Sequence, residues 1–166
     1  MKDLLHQDSK KVKAALDRAR QKGDQTWVKP LLVAFASRKD DALRDEMREL
    51  LSSLKVSAAE SILVDALRDP EFAHISADIL GFLWSCGFTC DGQLAFITEV
   101  ACEGDYFQAL EGSTLIEQVE TATDEKDVLE ALVVVGETLS DTSKSTIQPF
   151  AESIRTHLNM LSDGMM

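Results

Sequence analysis

The chain has 166 residues, 45% of them apolar, with eight glycines, three prolines, few aromatics and a formal net charge of −12. That length and apolar share suffice for a core without metals or disulfides, while the low Gly and Pro content and the lack of any apolar run of about eighteen residues argue against disordered, all-β and membrane-spanning classes. Residues 1–85 balance 14 Lys+Arg against 14 Asp+Glu, whereas residues 86–166 set three cations (Lys126, Lys144 and Arg155) against 15 acidic residues, so the whole excess lies in the second half.

Taken in chain order, a 3.6-residue apolar period predicts nine helices and no strand. The opening stretch from Met1 to Asp8 lacks the apolar centre of a secretory signal, so a cytoplasmic location is expected. The first helix, 8–22, is followed by Gly23, placed for a left-handed C-terminal cap. The second, 26–38, opens on Trp27 beside Lys29 and Pro30, where the indole is expected half-exposed. The third, 41–54, carries Leu43, Met47, Leu50, Leu51 and Leu54 on one stripe and Asp45, Arg48, Glu49 and Ser52 behind it.

Ser57-Ala58-Ala59-Glu60 reads as a capping box opening a helix at 58–68. Asp69-Pro70 supplies a capping carboxylate and a proline suited to the first position of the next helix, 70–86. That helix has the stripe Ile75, Ile79, Phe82, Leu83 and Cys86, with a second apolar side of Ala73, Ala77, Leu80 and Trp84. Trp84 is expected to pack between helices, with a partner anchor as the other reading. Helices at 92–103 and 105–121 follow, with Gly87 and Gly104 at positions expected to be left-handed caps. The last two are 124–139 and 143–162, the latter with a single stripe of Ile147, Phe150, Ala151, Ile154, Leu158 and Leu161.

A period of about thirty-three residues runs through these helices. The segment from Trp27 to Phe35 aligns with Ala59 to Leu67 and again with Gln93 to Ala101, and the Leu43–Leu54 stripe maps onto Ile75–Cys86. A weaker copy passes through Ala109, Ser113, Ile116 and Val119. Each repeat is a helix pair that buries its apolar side by lying against the next pair. Linkers of two to six residues make neighbours antiparallel, and with no break in composition one domain, 1–166, is expected.

The stretch from Leu63 to Leu83 resembles the HEAT-like repeat. Its Asp69-Pro70 stands at the Leu-x-Asp-Pro end of a first helix, Ile75 at the Val place of the second helix, and Leu80-Gly81 at its Leu-Gly place. The motif's Arg is replaced by Ser76 in this copy and kept as Arg44 in the one before. The resemblance covers roughly residues 8–121. It implies an all-α, right-handed superhelical solenoid of about four antiparallel helix pairs plus an N-terminal helix. It also implies a concave face used in that family for protein binding or scaffolding, while some relatives are bilin lyases or DNA glycosylases.

Catalytic signals are sparse. Cys86, Cys90 and Cys102 lack zinc-site spacing and fit buried, reduced thiols, and His6, His74 and His157 lie on different predicted helices or segments. His74 is expected at the surface. Neither a Gly-x-Ser-x-Gly elbow nor a phosphate loop occurs, and no cofactor or metal is implied. Nucleic acid and anionic membranes are poor partners for the acidic half, since both are bound through Lys and Arg.

The densest charged cluster is Glu117, Glu120, Asp124, Glu125, Asp127 and Glu130. It is either a solvated turn whose negative charge suits a helix N-terminus, or a docking patch for a protein partner with a basic surface. The expected function is non-catalytic: an interaction or scaffold module using its concave or acidic C-terminal surface. The alternatives are a small lyase or chaperone-like helper acting on another protein, and a homo-oligomer joined through terminal repeats, with Met165-Met166 as an apolar tail. Oligomeric state is left open.

Overall fold

A computed structural model describes residues 1–165, so Met166 of the proposed apolar tail lies outside the described residues. Among those residues there are nine α-helices, four short 3-10 segments and no strand. The helices gather into two compact units, Met1–Ile75 and a second beginning at Ser76. The boundary falls inside the predicted 70–86 helix.

In the first unit, α1 (Ser9–Lys22) starts where Asp8 accepts a hydrogen bond from the Lys10 amide at 2.9 Å. It ends at Gly23, whose φ of 59° lets its N–H reach back to the Ala19 carbonyl. Helix α2 (Val28–Ser37) and α3 (Asp41–Leu51) pack on each other and α3 also packs on α1. Val12, Leu16, Leu32, Phe35, Met47 and Leu63 form the centre of this core, each fully buried. The N-terminal 3-10 segment, Lys2–Leu5, is pinned by Arg38, whose guanidinium donates to the Leu4 and His6 carbonyls at 3.0 and 2.9 Å. Arg44 donates from Nε to the Phe35 carbonyl and lies 4.4 Å from the centre of the Phe35 ring, so it closes the C-terminal end of α2 as a cation should.

Two local expectations for this unit are corrected. Trp27 is buried, only 7% exposed, because a 3-10 turn at Gln25–Trp27 swings the indole inward ahead of α2. The Ser57 capping box does not form, because Ser57 already has helical angles when α4 (Ala58–Arg68) begins. The carbonyls of Val56 and Ser57 accept from Ala59 and Glu60, so the first turn closes on backbone groups in place of the hydroxyl.

The predicted 70–86 helix is also divided. Asp69 caps it as expected, accepting from the Glu71 amide at 3.0 Å, but Pro70–Ile75 is a 3-10 segment and α5 spans Ser76–Ser85. A 3-10 helix repeats every three residues, which places Phe72 and Ile75 on one side, and both are buried. On the intended second apolar side Leu80 is buried, Ala77 and Trp84 are half-buried and Ala73 is exposed. His74 is exposed, with Nε2 at 3.1 Å from the Ala36 carbonyl oxygen.

In the second unit, α6 (Leu94–Glu103), α7 (Tyr106–Glu117), α8 (Glu125–Ser140) and α9 (Gln148–Met165) follow α5. Consecutive helices α6 and α7 pack on each other, as do α8 and α9. Helix α6 lies against α8 and α7 against α9, while α5 extends the α7 side. The result is one layer of α6 and α8 and another of α5, α7 and α9. Ile97, Ala101, Ile116, Val128, Val135 and Leu158 fill the space between them.

Glycines set two of these approaches. Helix α5 ends at Gly87, with φ of 75°, and the Phe88 amide reaches the Leu83 carbonyl in the pattern of a left-handed cap. Gly104 departs from that expectation: its φ of −88° is extended, and what demands a glycine is space, since a Cβ there would overlap the Gln108 side chain. Gln108 is held in place by donating to the Val100 carbonyl at 2.7 Å. Gly112 is buried on α7 where a Cβ would overlap the Ala101 Cβ of α6 and come within 3.3 Å of its Cα.

Gly112→Ala is therefore expected to lower stability by about 1–3 kcal/mol from overpacking, less up to about 1 kcal/mol gained in helix propensity. Urea denaturation should show the loss, and Ala101→Gly in the same chain should recover part of it. An unchanged midpoint in the single variant would show that α6 and α7 are not in tight contact here.

Candidate functional site

The six clustered carboxylates do not form one uniform surface. Glu117 closes α7, and its Oε1 accepts from the hydroxyls of Ser113 (2.8 Å) and Ser153, which ties the C-terminal end of α7 to α9. Glu120 is exposed in the following loop. Asp124 is the N-cap of α8, accepting from the Asp127 amide at 3.2 Å. Glu125 is exposed in the first turn, where the partial positive charge of the helix end favours it. Glu130 pairs with Lys126 one turn away at 3.4 Å, a contact of exposed side chains that contributes little to stability.

Asp127 is set apart from the other five. It is only 7% exposed, and its carboxylate turns away from solvent to accept from the Leu94 amide at 2.6 Å and the Ala95 amide at 3.0 Å. These are the first two amides of α6, whose own N-cap residue, Gln93, makes no side-chain capping bond. Asp127 thus caps a neighbouring helix and is unavailable to a partner. In sequence it reads as one more acid in the first turn of α8; only the packing of α8 on α6 reveals its role. The exposed acidic surface consists of Glu117, Glu120, Asp124, Glu125 and Glu130.

A second tie lies beside it. Thr123, just before α8, donates its amide (3.0 Å) and its hydroxyl to Asp91 in the α5–α6 loop. The Thr123 hydroxyl, followed by its amide, holds the Asp91 carboxyl below the ordinary aspartate value. Asp91 ties the α7–α8 loop to the α5–α6 loop, and Asp127 ties the first turn of α8 to the start of α6.

Elsewhere, a cavity of about 300 Å³ in the first unit is lined by Trp27, Leu31, Leu50, Leu54 and Val56, with Arg20 and Glu49 at 4.0 Å on its rim. Cys90 and Cys102 are buried and Cys86 half-buried; burial pushes the Cys102 thiol up, against thiolate chemistry, with a smaller opposing effect from Thr138. Among the described residues no group of three or more His, Cys, Asp or Glu side chains is placed to hold a metal ion, and no helix is long and apolar enough to cross a membrane.

Asp127→Asn should turn an amide N–H₂ or a weaker acceptor toward two backbone donors and cost about 1.5–3 kcal/mol, read as a lower urea midpoint. A change within error would mean that α6 does not depend on this cap. Asp91 has a folded pKa below its unfolded value, so its contribution is complete above the ordinary 3.8 and is lost as pH falls through the lowered folded value. The stability gap between the wild type and Asp91→Asn should accordingly stay constant from neutral pH down to 3.8 and close below it. A gap that widens in acid would reverse the sign assigned here. Compared with protein-family models, curated proteins and solved structures, the chain matches none of them.

Proposed function

We propose that this protein is a non-catalytic interaction or scaffold module of the HEAT-like, armadillo-type kind, acting in the cytoplasm on a protein partner with a basic surface. The carrying observation is the segregation of charge: 15 acidic residues against three cations from residue 86 onward, with Glu117, Glu120, Asp124, Glu125 and Glu130 held at the surface by α7, α8 and the loop between them. Such a surface speeds encounter with a cationic partner and makes binding salt-sensitive, while it repels phosphate backbones and anionic lipid. In the second unit α6 lies against α8 and α7 against α9, which supports the reading that helix pairs stack side by side.

The helper or lyase alternative needs a reactive side chain facing a cleft. Burial of Cys90 and Cys102 weighs against it and leaves Cys86 as its one half-accessible thiol.

Immobilised protein should retain a basic protein from its native lysate at low salt and release it at high salt, because surface attraction is screened within about 10 Å at 0.1 M. The triple variant Glu120→Gln, Glu125→Gln, Glu130→Gln should retain about tenfold less and lose most of the salt dependence. Capture that ignores both salt and the triple variant would overturn the acidic-surface reading, and no captured protein at all would overturn the module itself.

A further inference from the structure

Helix α8 carries an apolar face that the fold leaves uncovered. Val133 is 62% exposed and Leu129 49%, one helical turn apart, and Gly136 continues the stripe with nothing within 4 Å of where its Cβ would stand. The orientation of the helix is fixed by Asp127, which points at α6. At about 100° per residue Gly136 lies half a turn from Asp127, so the stripe is on the side of α8 turned away from α6. Val128, Ala131 and Val135 meanwhile face the core.

The surroundings select the occupant. Glu125, Glu130 and Glu137 are exposed and flank the stripe, Glu125 about 40° from Leu129 and Glu137 and Glu130 about 40° and 60° from Val133 around the helix. Of the three cations after residue 85, Lys126 pairs with Glu130 at 3.4 Å and Arg155 with Glu152 at 2.5 Å, and Lys144 lies beyond the end of α8. A second copy of this chain would bring the same excess of carboxylates, with a net charge of −12, and would be repelled. A cationic helix gains where a second copy loses: its apolar side chains at i, i+3 or i+4 and i+7 cover Leu129 and Val133, and its Lys and Arg reach Glu125 and Glu137. Gly136 presents no side chain, which leaves room for close approach at this end of the stripe, since helix separation depends on the side chains at the contact.

We propose that the Leu129–Val133–Gly136 face of α8 is the docking surface for a basic amphipathic helix of a partner protein. This rests on the interaction-module reading and assigns it a face and a kind of ligand.

The probe is a fluorescein-labelled, designed Leu/Lys amphipathic peptide of about 18 residues, five helical turns, followed by anisotropy at low salt. The wild type is expected to bind it, and to bind a scrambled peptide of the same composition at least about tenfold more weakly. Leu129→Gln with Val133→Gln, which changes no charge, should weaken binding about tenfold or more. Gly136→Leu should weaken it similarly although leucine favours the helix, and unchanged circular dichroism would show that both variants remain folded.

Full affinity in the Gln pair, equal binding of the scrambled peptide, or no binding by the wild type would each overturn the proposal. So would self-association in light scattering that the Gln pair abolishes, since the occupant would then be a second copy. A lysate partner still retained by the Gln pair but lost in the acidic triple variant would overturn this face alone and leave the module standing.

Discussion

The second unit depends on one buried carboxylate. A helix begins with amides that have no partner within the helix, and at α6 the N-cap residue Gln93 makes no side-chain capping bond. Asp127 supplies the acceptor from α8, and because a carboxylate in the interior is tolerated only when it is hydrogen-bonded, the need is mutual. Each helix fixes the rotation of the other. That rotation decides which residues of α8 enter the core and which stay exposed, so an acid that the sequence groups with its exposed neighbours instead determines which side of the helix they stand on.

Close packing then depends on the absence of side chains as much as on their presence. Gly112 lets α7 approach Ala101, and Gly104 leaves room for Gln108 to reach back to α6. Neither position needs unusual backbone angles, in contrast to Gly87, where the left-handed angle itself ends α5. The same residue type thus serves steric clearance in one place and chain reversal in another, and only coordinates separate the two uses.

Features set by a few adjacent residues were legible in the sequence. The nine helices, the Asp69 cap, the left-handed turns at Gly23 and Gly87 and the single stripe of α9 all follow from local apolar period and turn chemistry. Features set by distant neighbours were not. Asp127 is drawn inward by amides 32 and 33 residues earlier, whereas Trp27 and Ser57 depart from expectation locally, the first through the 3-10 turn ahead of α2 and the second through backbone bonds that close the first turn of α4. The uncovered stripe on α8 was hidden for a related reason: Leu129 and Val133 are ordinary helix residues until the rotation of the helix is known.

The layering of the second unit also bears on how the chain reaches its folded state. Helices there touch the next helix along, or the next but one, so each contact closes only a short loop and costs little chain entropy before it is rewarded. Folds of such low contact order assemble on microsecond to millisecond timescales. The nascent segment can gather helix by helix as it is made, with little time for its oily residues to meet those of another molecule.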